Sequence, residues 1–147
     1  MDETPFVEAL AASGWRQRAL PGFVGLIGPL WTRKEDAGWA YGLLATPQHL
    51  NPAGVVHGGL LTTLIDHALS AIAWEAVERR ACVTVQLDTQ FVAAARDGQF
   101  LEARGRVVRA TSNLVFVQGQ VAVAGTEVVS ASAVLKVLSA PGPVGVG

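Results

Sequence analysis

Hydrophobic positions along the chain follow two rhythms. Between Gly58 and Val77 the sequence is almost continuously apolar, and Leu61, Leu64, Ile65, Ala68 and Ile72 recur at three- and four-residue steps. That spacing predicts one long, largely buried helix. Beyond it the period falls to two. In "CVTVQLDTQFV", Val83, Val85, Leu87 and Phe91 fall on one face and Thr84, Gln86, Asp88 and Gln90 on the other. "QFLEARGRVVR", "NLVFVQGQVAVA" and "EVVSASAVLKVL" behave alike, separated by the short turns "ARDGQ" and "AGT". Four half-apolar strands with such short connections should be antiparallel.

Upstream, "TPFVEALAASGW" predicts a short helix with Thr4 as N-cap, Pro5 at the first helical position and Gly14 as its stop. "GFVGLIGPLWTRK" and "GWAYGLLAT" predict two strands joined by the polar turn "KEDAG". The order is short helix, two strands, long helix, four strands. An antiparallel sheet curled around a single apolar helix buries both apolar faces, which defines an α+β chain of hotdog architecture. Residues 1–139 read as one domain. "APGPVGVG" reads as a loose tail over 140–147, because its prolines and glycines oppose regular structure.

Composition adds a partner. Of 147 residues, 50% are hydrophobic and 16% charged, an apolar balance that points to surface buried between copies. It is not a membrane signal, since Asp66, His67 and Glu75 interrupt the longest apolar stretch. The acidic start "MDETPF" is unlike a secretory signal, and the single Cys82 cannot form an internal disulfide. Both features place the chain in the cytoplasm, with Cys82 as a small core residue. A net charge of −1 offers no bulk attraction to nucleic acid.

Asp66 is the anomaly in the long helix. An ionised carboxylate buried without a partner is costly, so such a residue is either solvated or at work. Helical steps from Asp66 reach Gly59, Thr62 or Thr63, Ser70 and Ala73, a strip of small side chains where a ligand could lie against Gly59 and Thr63. At the helix start, His57-Gly58-Gly59 leaves backbone N–H groups uncovered at the positive end of the helix dipole, able to receive a developing oxyanion. Asp66 lies roughly 10–12 Å further along by the 1.5 Å rise per residue. One carbon cannot touch both on one helix. An antiparallel second copy would set one Asp66 opposite its partner's Gly58, so the spacing predicts a homodimer with composite sites.

"N-P-A-G-V-V-H-G-G" followed by "L-L-T-T-L-I-D" resembles the signature of hotdog-fold acyl-CoA thioesterases of the phenylacetate-degradation (PaaI) type. In that family an Asn stands six positions before the His and the Asp nine after it, as Asn51, His57 and Asp66 do here. "T-V-Q-L-D-T-Q-F-V-A-A-A-R-D-G" and "G-R-V-V-R" resemble the following strands, so the likeness runs from about Phe23 to Leu138. The resemblance implies hydrolysis of an acyl-CoA, with an aromatic or medium-chain acyl group, at dimer interfaces, and dimers pairing into a homotetramer. It implies Asp66 as general base or nucleophile, and the Gly58 amide polarising the thioester carbonyl. Asn51 would position substrate or water, His57 would support the loop, and Thr84 would orient the attacking water. No cofactor is expected, coenzyme A being part of the substrate. Arg104, Arg106 and Arg109 form a small basic cluster, either a solvated strand face or, for Arg106 and Arg109, a contact for coenzyme A phosphates.

Other chemistries fit less well. No GxSxG elbow and no phosphate-cradling glycine loop is present. His49, His57 and His67 lack metal-ligand spacing, so no metal is expected; His67 reads as a packing residue and His49 as a loop residue. The four tryptophans read as core or interface. A non-catalytic acyl-CoA sensor or carrier is the alternative from another class, and it would have no need of Asp66. A hotdog dehydratase would pair His with an acid differently.

Overall fold

The computed structural model describes residues 2–139; the tail expected over 140–147 lies outside them. Helix α1 (Thr4–Ala12) forms where expected, but Thr4 is its first residue and not its cap. Asp2 Oδ1 accepts from the Thr4 amide at 3.0 Å instead. Gly14, at φ +94°, follows the helix end as expected, since a left-handed backbone suits glycine.

The segment read as the first strand divides in two. Gly22–Ile27 is a short helix, α2, and strand β2 starts only at Leu30 and ends at Glu35. Leu20, Val24 and Ile27 pack onto the core from a four- and three-residue spacing, which serves a helix better than a strand. A further strand, β1 (Arg16–Arg18), pairs antiparallel with β2. Strand β3 (Gly38–Leu44) follows, then α3 (Gly58–Ala76), β4 (Cys82–Phe91), β5 (Phe100–Ala110), β6 (Leu114–Val123) and β7 (Thr126–Val137).

These strands form one open, curved seven-stranded antiparallel sheet in the order β1-β2-β3-β5-β6-β7-β4. Helix α3 lies in its concave face, burying Leu61, Leu64, Ile65, Ala68 and Leu69, as the hotdog reading requires. Ser70 and Ala73, expected on the small polar strip, are buried too, whereas Ile72 is only partly covered. The close approach of helix and sheet depends on the facing pair Gly105 and Gly119. A Cβ on either would stand 2.6 or 2.8 Å from Leu69 Cδ2. A second cluster, Leu10, Trp15, Trp31 and Ala40, anchors α1 to the outer side of the sheet, and Trp15 meets the Phe100 ring edge-on at 5.0 Å. Cys82 is buried, and burial pushes its thiol pKa up.

Strand β4 departs from its sequence rhythm in an important way. Cys82, Thr84, Leu87, Thr89 and Phe91 pair with Val137, Leu135, Ala133, Ala131 and Val129, whose side chains face the helix. Val85 is an extra residue between Thr84 and Gln86, a bulge that shifts the register by one. Thr84 thereby turns from the polar outer face to the helix side. Val83 and Val85, read as sharing the face of Leu87, are instead exposed at 39% and 62%. In the described residues β4 is an edge strand, paired only with β7.

Candidate active site

Helix α3 carries Asp66 to the wall of a cavity of about 880 Å³. One side is helix (Thr62, Thr63, Asp66, His67, Ala71, Trp74), and Leu20, Phe23, Val24, Leu30, Tyr41 and Leu87 supply most of the apolar remainder. Asp66 is half-buried, and its Oδ1 accepts from the Thr84 hydroxyl at 2.8 Å. The Thr84 oxygen is 3.3 Å from buried Ser70 Oγ, so the three side chains form a chain of hydroxyls ending on the carboxylate. Asp66 Oδ2 makes no hydrogen bond among the described residues, leaving one carboxylate oxygen open to the cavity. The Val85 bulge makes this geometry possible: with unbroken alternation Thr84 would point away from α3.

The start of α3 faces a different crevice, about 380 Å³, lined by Asn51, Val55, Val56, Gly58, Leu61 and the segment from Phe91 to Ala95. His57 is the N-cap, and its Nδ1 accepts from the Gly59 amide at 2.8 Å. Leu60 and Leu61 amides donate to the His57 carbonyl. The helix start is therefore less bare than its glycines imply. Gly59 was expected to bind substrate, but its amide is committed to His57. Gly58 N–H alone in this turn has no acceptor among the described residues, and it points to the anion-binding end of the dipole. Asn51 Oδ1 accepts from Ala53 and Val55 amides at 3.0 and 3.3 Å, tying the loop together and leaving its NH2 group for the crevice.

The two crevices share no lining residue. One chain thus brings together Asp66, Thr63 and Thr84, and separately Asn51, His57 and Gly58. Thr63 donates its hydroxyl to the Gly59 carbonyl at 2.9 Å, so its donor is committed within the helix. Arg106 and Arg109 line neither crevice. They pair with Gln118 and Phe116 on the sheet's outer face, and Arg106 donates to Gln118 Oε1 at 2.9 Å. Arg104 is held by Glu35 at 2.8 Å and by Glu102 at 3.1 Å, which raises its pKa further and holds the Glu35 carboxyl down at about 2.

Sequence reasoning missed Ser70 as a partner of Thr84, the lining by α2, and the place of Trp74 in the cavity wall. Ser70 was detectable, lying one helical turn beyond Asp66. His49 is a buried peg and more than a loop residue: Nδ1 accepts from the Thr46 amide and Nε2 donates to the Ile27 carbonyl at 2.8 Å. His67 does pack, edge-on to Tyr41 at 5.9 Å, but it also lines the Asp66 cavity. Burial lowers its pKa against the opposing charge of Asp66. Burial, helped by the Glu75 charge, raises Tyr41 to about 12. Among the described residues no group of three His, Cys, Asp or Glu side chains could hold a metal, and no helix is long and apolar enough to cross a membrane.

Comparison with known proteins adds to this geometry. The sequence profile described as Thioesterase superfamily matches residues 53–130. A Pseudomonas aeruginosa protein named as a candidate esterase is 33% identical over 74% of this chain and 83% of its own. A candidate thioesterase from Ralstonia eutropha, named as related to phenylacetic acid degradation, has a solved structure with TM-score 0.68. It is 28% identical and covers 90% of this chain and 98% of its own. A Bacillus halodurans protein solved with CoA is 26% identical, with TM-score 0.63, over 67% of this chain and 70% of its own.

Proposed function

The chain belongs to the Thioesterase superfamily and is a thioester hydrolase, and from that premise we propose that it cleaves an aromatic or medium-chain acyl-CoA at a site shared by two copies. The observation that carries this reading is the separation of its two halves. Asp66 and Thr84 stand at an apolar cavity fit for an acyl group, while the unpaired Gly58 amide opens into another crevice. Strand β4 supplies a surface for joining copies: its free edge carries exposed Val83, Val85 and Phe91, and Phe91 abuts Gly58.

In the joined site the acyl group occupies the Asp66 cavity and the thioester carbonyl accepts from the partner's Gly58. Thr84 holds Oδ1, so Oδ2 does the chemistry. As a general base it takes a proton from water while the water oxygen attacks the carbonyl carbon. The negative charge gathers on the carbonyl oxygen at the Gly58 amide. When the C–S bond breaks, the sulfur leaves as thiolate and takes up the proton, giving free acid and coenzyme A. As a nucleophile, Oδ2 would attack the carbon first, expelling the thiolate, and water would open the anhydride; in 18O-water, label appearing in Asp66 reports that path with water attacking the aspartyl carbon. Arg106 and Arg109 reach coenzyme A phosphates only where pairing of dimers lays another copy's site against the outer face.

The test is thiol release from a panel of acyl-CoAs by wild type and Asp66→Asn. The variant should lose a factor of roughly 10²–10⁴ in kcat, the usual yield of a positioned base. Equal turnover would remove Asp66 from the chemistry, and tight binding without cleavage by wild type would favour a carrier.

A further inference from the structure

His67 has a role that hydrolysis does not require. Its Nδ1 is sealed from solvent with no hydrogen-bond partner among the described residues. A donor stranded there would cost more than a lone pair, because buried N–H groups are almost never left unpaired. The ring proton therefore belongs on Nε2. That nitrogen has no protein partner among the described residues either, yet it is not sealed, and the ring lines the Asp66 cavity. Burial keeps the ring neutral, with one N–H to offer.

Three other polar groups of the wall are committed, while the Tyr41 hydroxyl and the Trp74 indole N–H make no hydrogen bond among the described residues and are the rival donors. Thr62 and Thr63 donate to the carbonyls of their own helix, and the Thr32 hydroxyl accepts from Arg18 Nε at 2.9 Å. Thr63, His67, Ala71 and Trp74 form a strip at helical spacing, roughly 16 Å long by the rise of the helix and passing Asp66 near one end. An acyl tail laid along that strip passes His67 with apolar Val24, Leu30 and Leu87 around it.

Resting on the acyl-CoA reading above, we infer that His67 is a specificity-determining residue: its Nε2–H selects acyl groups bearing a hydrogen-bond-acceptor oxygen, hydroxyl, ether or ketone, remote from the thioester. A purely hydrocarbon tail would bury that N–H unpaired and bind worse by roughly tenfold to a hundredfold.

The experiment compares shape-matched pairs of phenylacetyl-CoA substrates: 4-hydroxy against 4-methyl, and 4-methoxy against 4-ethyl. Ratios of kcat/KM are read; if no thioester is cleaved, ratios of Kd by calorimetry replace them, so failure of hydrolysis is separated from failure of selection. Both oxygenated members should win by at least about tenfold. His67→Phe should collapse both ratios towards one, His67→Gln should retain part through its amide N–H, and Tyr41→Phe should leave them in place. Long-range 15N spectra of the unliganded wild type should show the Nε2–H form at His67, whatever the variants' folding. Ratios insensitive to His67→Phe, a preference for hydroxyl but not methoxy, loss of preference in Tyr41→Phe, or a proton on Nδ1 would each overturn the assignment.

Discussion

Replacing Gly58 with proline removes a single hydrogen-bond donor and little else. Proline suits the first turn of a helix, where its missing N–H has no intrahelical partner. His57, at φ −61° and ψ 134°, already has the extended backbone that a following proline demands. An added Cβ would meet the Phe91 ring at 3.4 Å, ordinary contact. The fold should survive, and thiol release should fall by roughly 2.7–4 kcal/mol of transition-state stabilisation, a hundredfold to a thousandfold. Asp66→Asn should be inactive for a different reason. Mixing and re-equilibrating the two variants in equal amounts then reports the architecture. Random assortment makes half the dimers mixed, and a mixed dimer has one site with both Asp66 and the Gly58 amide intact. Activity should recover to about a quarter of wild type, the expectation for a two-fold interface with shared sites. If the mixture shows only the sum of the two parents, the carboxylate and the amide of one chain serve the same site and the composite picture is wrong.

Thr84→Val deletes the hydroxyl on Asp66 Oδ1. A hydrogen bond to a charged group is worth about 1.5–3 kcal/mol, and because Thr84 is solvent-exposed the lower end applies, so kcat should drop about tenfold. Thr84→Ser should restore it, and a fully active Thr84→Val would detach this hydroxyl from the reaction. Gly119→Ala forces a methyl against Leu69 Cδ2 and the Arg104 carbonyl; a cost of about 1–3 kcal/mol should lower the melting temperature. An unchanged melt would mean that helix and sheet are less tightly apposed. Glu35 is held at about 2, below its usual 4.5, chiefly by the Arg104 hydrogen bonds and also by Arg33. A depressed carboxyl stabilises the fold above its unfolded pKa and loses that contribution as pH falls through about 4.5 to 2. Solvent screening limits the amount to about 1 kcal/mol. Denaturant titrations across that window should show the loss in wild type and its absence in Glu35→Gln; parallel curves would show the ion pairs to be inert.

Much of this molecule is legible in one dimension because burial along a regular element repeats with that element's period. The steps of α3 and the alternation of β5, β6 and β7 carry the architecture, and Asp66 stands out because a carboxylate breaks an apolar helix at one point. Composition and the Asn51, His57 and Asp66 spacing led instead to proposals, a covered surface between copies and a shared site, which the mixing and substitution experiments test. The failures have a different origin. Periodicity assumes that each residue advances the pattern by one, and the Val85 bulge breaks that rule through pairing with β7, a strand more than forty residues later. Thr84 was assigned to the outer face for that reason, yet it holds the carboxylate. The glycines of "GFVGLIGP" obscured α2, whose helical course depends on the core it covers. The basic cluster dissolved when Glu35, from the β2–β3 hairpin, came alongside Arg104. Which hydroxyl meets Asp66, which amide stays unpaired among the described residues and which side chains wall the cavity beside Asp66 all depend on residues distant in sequence. Those pairings are made only when the sheet closes over α3.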